Sequence, residues 1–209
     1  MKIELEAVKP EDIEKRSFEI IRSEIKTLPD SELEPVILRA IHTTADFEYA
    51  DSLYFSPGVI SAARNALKNG ARIITDTNMA MAGINKAALE KLKCEAQCYM
   101  SDDDVAAAAK SNGTTRAVAS INKAADMSEP LIFAIGNAPT ALIRLYELIS
   151  EGRVCPALVI GAPVGFVNVV QSKELIMQTN VPCIVARGRK GGSNVAAAII
   201  NALMYMITR

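Results

Sequence analysis

From Leu53 onward, short apolar runs alternate with stretches of helical periodicity, and this alternation narrows the possible folds further than any other feature of the chain. The apolar runs are Leu53 to Phe55, Arg72 to Thr75, Glu95 to Tyr99, Leu131 to Ile135, Ala157 to Ile160 and Cys183 to Ala186. Gly58 to Lys68 and Thr140 to Ser150 typify the helical stretches between them. The later runs are apolar without alternation, as expected of strands covered on both faces. Strand, helix and strand in repeated succession require right-handed crossovers and a mostly parallel sheet. The expected fold class is therefore α/β: an open, mostly parallel sheet flanked by helices, Rossmann-like, with an N-terminal helical segment.

In that N-terminal segment Pro10, Glu11 and Asp12 suit a first helical turn, and Ile13, Ile20, Ile21 and Ile25 fall near helical spacing. A second helix is expected from about Glu34 to Ala45, with Pro35 tolerated in its first turn. No linker or low-complexity tract divides residues 1–209, so a single domain is expected. Half the residues are apolar, enough for a large aliphatic core. The charged opening MKIELEAVKPEDIEK lacks the apolar stretch of a signal peptide. The most hydrophobic stretch, Val195 to Ile207, is shorter than the roughly 18 apolar residues of a membrane span. It reads as a buried final helix, and a cytoplasmic protein without a membrane partner is expected. A net charge of −1 argues against nucleic-acid binding, which needs a basic surface. Four cysteines without a CxxC pair, beside one histidine, give no zinc signature and read as buried free thiols.

Ligands of open α/β sheets bind beyond the carboxyl ends of the strands. Small and polar residues mark those ends here: Thr75 to Asn78, Gly136 to Thr140, Gly161 to Gly165 and Arg187 to Ser193. None matches the G-x-G-x-x-G or G-x-x-x-x-G-K-[ST] fingerprint. Gly188 to Ser193, with three cations beside its glycines, reads either as an anion-binding loop or as an ordinary turn with Ser193 as N-cap. His42 is the only histidine. Asp46, four residues on, is expected to reach its imidazole along one helical face, with Arg39 opposing from the preceding turn. Imidazole suits proton transfer at neutral pH. Ser17 lies between Ile13, Ile20 and Ile21 on the expected apolar face of the first helix, where a hydroxyl bonded back to the carbonyl four residues earlier is the simplest reading.

Seven separated segments together resemble one family. They are IEKRSFEI from Ile13, RAIHTTAD from Arg39, TDTNMAMAG from Thr75, TTRAVA from Thr114, IGNAPTA from Ile135, VIGAPVGFV from Val159 and RGRKGGSNV from Arg187. Their order and spacing are similar to those of precorrin-8X methylmutase and its cobalt-precorrin-8 counterpart in cobalamin biosynthesis. The resemblance implies an isomerase that moves a methyl group from C11 to C12 of a corrinoid ring, giving hydrogenobyrinate or cobyrinate. It also implies a homodimer with its site near the subunit interface and no dissociable cofactor; any cobalt would belong to the substrate. By the same resemblance, His42 matches the catalytic histidine, and Ser17 and Arg116 match positions near the ligand. The substrate's acetate and propionate arms require clustered cations, for which Arg116 and Arg39 are the first candidates and Arg187, Arg189 and Lys190 follow from loop position. Met79, Met81 or Phe166 are candidates to meet the apolar macrocycle. Two other readings stay open on the sequence: a nucleotide- or adenosylmethionine-dependent enzyme on a similar sheet, and a tetrapyrrole carrier without turnover.

Overall fold

The computed structural model describes residues 6–27 and 29–209. A 3-10 turn over Pro10–Asp12 leads into helix α1 (Ile13–Glu24), followed by α2 (Glu34–Thr44) and the short α3 (Tyr49–Ser52). The sheet then begins with β1 (Leu53–Phe55) and continues through β2 (Arg72–Thr75), β3 (Glu95–Gln97), β4 (Leu131–Ile135), β5 (Leu158–Gly161) and β6 (Cys183–Ala186). Between the strands run α4 (Val59–Lys68), α5 (Asn78–Gly83), α6 (Lys86–Leu92), α7 (Asp103–Ser111), α8 (Arg116–Ala125), α9 (Pro139–Ser150) and α10 (Val169–Met177). The long α11 (Ser193–Thr208) comes after β6.

The strand order is β1-β6-β5-β4-β2-β3. Every neighbouring pair is parallel except β1 with β6, which is antiparallel and places Leu53 opposite Ala186. Because β1 directly follows the helical segment, it enters the sheet without a preceding crossover and is free to run the other way. The order reverses between β2 and β4, which makes their carboxyl ends the switch point of the fold. Strands β4, β5 and β6 are buried at every position, as uninterrupted apolar runs require.

One face of the sheet is covered by α9, α10 and α8, whose Leu142, Leu145, Ile176 and Ile121 meet Phe133 and Val159. The opposite face carries α11, α2 and α4, with Ile199, Ile200, Leu203, Ile37, Ile41 and Ile60 in one continuous core. Helix α11 is thus an interior element, with nine buried residues. No helix among the described residues is long and apolar enough to cross a membrane.

Helix α1 departs from the expected pattern. Only Ile21 of its isoleucines is buried, Ile13 is 52% exposed and Ile20 38% exposed. The helix docks through Phe18, Ile21 and Ile25, so the stripe of Ile13, Ser17 and Ile20 faces outward. The cysteines also differ from expectation. All four are free, but only Cys94 and Cys183 are buried and Cys155 is exposed.

Candidate active site

The carboxyl end of the sheet is braced by one buried acid. Asp76, just past β2, accepts hydrogen bonds from the backbone N–H groups of Gly136, Asn137 and Ala138 at 2.9, 2.8 and 2.6 Å. It is 2% exposed. Burial pushes its carboxyl up from the ordinary value, while the three N–H groups pull it back. The N–H groups ahead of α9 would otherwise offer an anion site at the switch point. Here the chain's own carboxylate fills it. Beside it, the Thr77 hydroxyl accepts from the Ala80 N–H at the start of α5 and lies 2.7 Å from the Ser193 hydroxyl. Ser193 therefore ties α11 to β2 and does not cap its helix, whose N-cap is Gly192.

Gly136 is needed for this closeness, because a Cβ there would sit 2.7 Å from the Cα of Ser193. Gly191 packs against the end of β5, where a Cβ would collide with the carbonyl oxygen of Ala162. These strand-end glycines thus bring the loops against one another.

His42 lies on the last turn of α2, which ends where Ala45 takes a left-handed φ of 54°. Thr43 near the end of α2 lines a groove with Asn194 at the start of α11, whereas Pro35 at the start of α2 lines another with Met206 and Arg209, so α2 runs antiparallel to α11. That direction carries His42 to the carboxyl end of the sheet. Its ring is exposed and meets the ring of Phe18 edge-on, with centroids 5.5 Å apart at 80°. No hydrogen bond or ion pair to either ring nitrogen occurs among the described residues. The expected partnership with Asp46 does not form. The left-handed turn at Ala45 breaks the helical register, and Asp46 instead pairs with Lys190 at 2.6 Å and caps the Glu48 N–H at 3.0 Å. Lys190 holds Asp46 below its ordinary value.

The other expected site residues separate into two groups. Arg116 opens α8, is exposed, and has no ion pair among the described residues. Its neighbour Thr115 caps α8 and lies 3.2 Å from the Thr140 hydroxyl, which ties Arg116 to the β4 end of the switch point. Arg187 and Arg189 are exposed on the loop after β6. Arg187 has only a loose contact with Glu174 at 3.9 Å, and the Arg189 guanidinium lies 5.4 Å from the ring centroid of Phe166. Phe166, Val167 and Met79 are 80%, 78% and 71% exposed on this same end, so apolar surface lies among the cations. Met81 is only partly exposed.

Arg39, Lys190 and Ser17 are occupied. The Arg39 guanidinium pairs with Glu14 and lies between the rings of Phe18 and Tyr205, at 4.9 and 5.1 Å. It joins α1, α2 and α11, so within this chain it is already engaged where Arg116 is not. Lys190 is likewise neutralised, between Asp46 and Glu48 at 2.6 and 2.7 Å. The Ser17 hydroxyl donates to the Ile13 carbonyl at 2.8 Å. It keeps its acceptor capacity and sits beside Phe18, the residue that meets His42.

Two residues of this region carried no clear mark in the sequence. Asp76 follows an apolar strand in TDTN, a polar cluster read only as a strand end. Lys173 is fully buried in α10, an unusual setting for a lysine, and its ammonium donates to the carbonyls of Gly188 and Lys190 at 2.9 and 2.8 Å. Burial pushes its pKa down to about 8.

The family model described as precorrin-8X methylmutase matches residues 12–206. The cobalt-precorrin-8 methylmutase of Priestia megaterium is 46% identical over 200 residues, covering 95% of this chain and 89% of that one. The cobalt-precorrin-8 methylmutase of Salmonella typhimurium is 45% identical, covering 94% of this chain and 95% of that one. Among solved structures, precorrin-8x methyl mutase from Thermus thermophilus superposes with a TM-score of 0.86 at 40% identity, over 93% of this chain and 96% of that one.

Proposed function

The chain belongs to the precorrin-8X methylmutase family, and from that premise we propose that His42 is the acid that drives its methyl shift, on a face where Arg116, Arg187 and Arg189 receive the substrate's carboxylate arms. As a member of the family it is an isomerase of cobalamin biosynthesis, moving a methyl group from C11 to C12 of precorrin-8X or cobalt-precorrin-8. The observation that carries the residue assignment is the setting of His42: exposed at the carboxyl end of the sheet, steadied by the Phe18 edge, with both ring nitrogens unoccupied among the described residues.

A sigmatropic shift needs no nucleophile. The migrating methyl leaves C11 as it bonds to C12, and the electrons rearrange through the conjugated ring. A proton lent to a ring nitrogen lowers the energy of that redistribution and returns to the imidazole once the methyl has moved, so nothing is consumed. Exposed carboxyls are already ionised at neutral pH, and arginine holds its proton too tightly to lend it. Such acid assistance is worth about 10²- to 10⁴-fold in rate. Phe166, Val167 and Met79 offer apolar surface for the macrocycle, and the exposed arginines offer charge for its arms.

The groove lined by Thr43 and Asn194 holds about 280 Å³, below the range of pockets that enclose even drug-sized ligands. In this reading the corrinoid lies across the open strand-end face, and a second copy of the chain completes its enclosure. Greater likeness to the two cobalt-precorrin-8 methylmutases supports a cobalt-bearing substrate, tested by comparing turnover of the cobalt and metal-free forms. We place the protein in the cytoplasm, as expected of a biosynthetic enzyme of this family.

The decisive experiment substitutes His42. His42→Ala folds and binds a corrinoid, because the arginines remain, but loses turnover by at least about a hundredfold. His42→Asn, which retains hydrogen-bonding capacity without a transferable proton, fails equally. Conversion by His42→Asn at close to the wild-type rate would make His42 a positioning residue and require another proton source.

A further inference from the structure

We infer that Lys173 is a positioning residue that shapes the loop after β6 into a backbone subsite for one carboxylate arm of the substrate. The inference rests on the reading of the strand-end face as the corrinoid site. It starts from the planarity of the peptide unit, in which the carbonyl of one residue and the N–H of the next point in opposite directions. The Lys173 ammonium receives the Gly188 and Lys190 carbonyls from beneath the loop. The N–H groups of Arg189 and Gly191 share those two peptide planes, so both point away from the buried amine, Arg189 on an exposed residue and Gly191 on a partly exposed one.

The carbonyl between them is taken as well, since the Arg189 oxygen accepts from the Gly165 N–H at 3.1 Å. The Arg189 and Gly191 N–H groups themselves have no acceptor among the described residues. Two neighbouring donors thus face outward on a loop that also bears Arg187 and Arg189, which is the arrangement that receives an anion. The loop cannot roll over to hide them. Lys190 fixes it to Asp46 and Glu48, the Gly192 N–H donates to Ala162 at 2.8 Å, and Gly191 is wedged against β5.

A lysine is costly to bury, and this one makes no ion pair among the described residues. Its two hydrogen bonds both go to loop carbonyls, so its expense is spent on the orientation of that loop. A purely apolar side chain in α10 would pack as well without holding either carbonyl.

The test uses cobyrinate and a derivative of it whose acid arms are all primary amides. Wild-type protein should bind cobyrinate more tightly. On adding cobyrinate, the amide proton resonances of Arg189 and Gly191 should move downfield, and the neutral derivative should leave them nearly in place. Lys173→Met should weaken cobyrinate binding by about tenfold or more, the scale of losing charge-assisted hydrogen bonds. It should leave binding of the neutral derivative unchanged, and Lys173→Arg should recover part of the loss. Equal weakening of both ligands, or unmoved amide resonances in wild-type protein, would overturn the subsite. The resonance measurement stands even if Lys173→Met fails to fold. If wild-type protein did not discriminate between the ligands at all, the cationic-face reading itself would fall, and the subsite with it. If it discriminates and Lys173→Met does so equally, only the subsite falls.

Discussion

At the scale of single residues, arginines that look alike in sequence have opposite occupations. Arg116 is exposed and free of ion pairs among the described residues, whereas Arg39 is held by Glu14 and two aromatic rings. The expected consequences differ accordingly. Arg116→Ala should weaken corrinoid binding by about 2 kcal/mol or more, with an unchanged melting temperature. Arg39→Ala should lower the melting temperature, because it removes the contact joining α1, α2 and α11 and leaves Glu14 with one partner fewer. Ligand titration beside thermal unfolding separates the two, and unchanged corrinoid affinity in folded Arg116→Ala would remove Arg116 from the site. His42 was legible in the sequence because it is the only histidine and lies in a matching segment. Its supposed partner was not, because helical spacing from His42 to Asp46 assumes a helix that stops one residue before the left-handed Ala45. Lys173 was invisible for a different reason: nothing in VVQSKELIM says that its lysine turns inward.

Among the elements, the strands were the most legible. β1, β2, β4 and β6 fall at the expected residues, β5 is displaced by one, and β3 gives way early to a 3-10 turn over Tyr99–Ser101. Apolar runs declare themselves locally, but the direction of β1 depends on which edge it joins, which no local pattern encodes. The outward stripe of α1 has the same origin, since periodicity marks an apolar face without saying what covers it. The loop after β6 shows how elements are registered by charge. Lys190 holds Asp46 below its ordinary value of 3.8. A carboxyl depressed in the folded state contributes stability that is present above that value and lost as the pH falls below it. Wild type should therefore resist urea slightly better than Lys190→Met at neutral pH, and the difference should close in acid below pH 3.8. A gap that persists unchanged in acid would mean that Lys190 acts through packing and not through its charge. The effect is small, as for any exposed pair.

For the whole molecule, the interior position of α11 redirects the question of assembly. Its apolar residues are consumed inside the fold, against the chain's own sheet, and are not available to pair two copies. Among the described residues, the large exposed apolar side chains are instead Ile13 and Ile20 on α1, with Met79, Val164, Phe166 and Val167 at the strand ends. We expect sedimentation velocity at micromolar concentration to report a dimer, and paired Ile13→Glu and Ile20→Glu substitutions to yield a monomer with an unchanged melting temperature. A wild-type chain that sediments only as a monomer would remove the shared site. The place of α11 also bears on how the protein comes into being. It is the last of these helices to leave the ribosome, yet it fills the middle of one face of the sheet. Until it emerges, β4 and the inner side of α2 lack their main cover on that face, and Thr77 has no Ser193 to meet across 116 positions of chain. Synthesis therefore passes through a stage in which all six strands exist and the central helix of one face does not, a stage at which nascent-chain chaperones have apolar surface to bind.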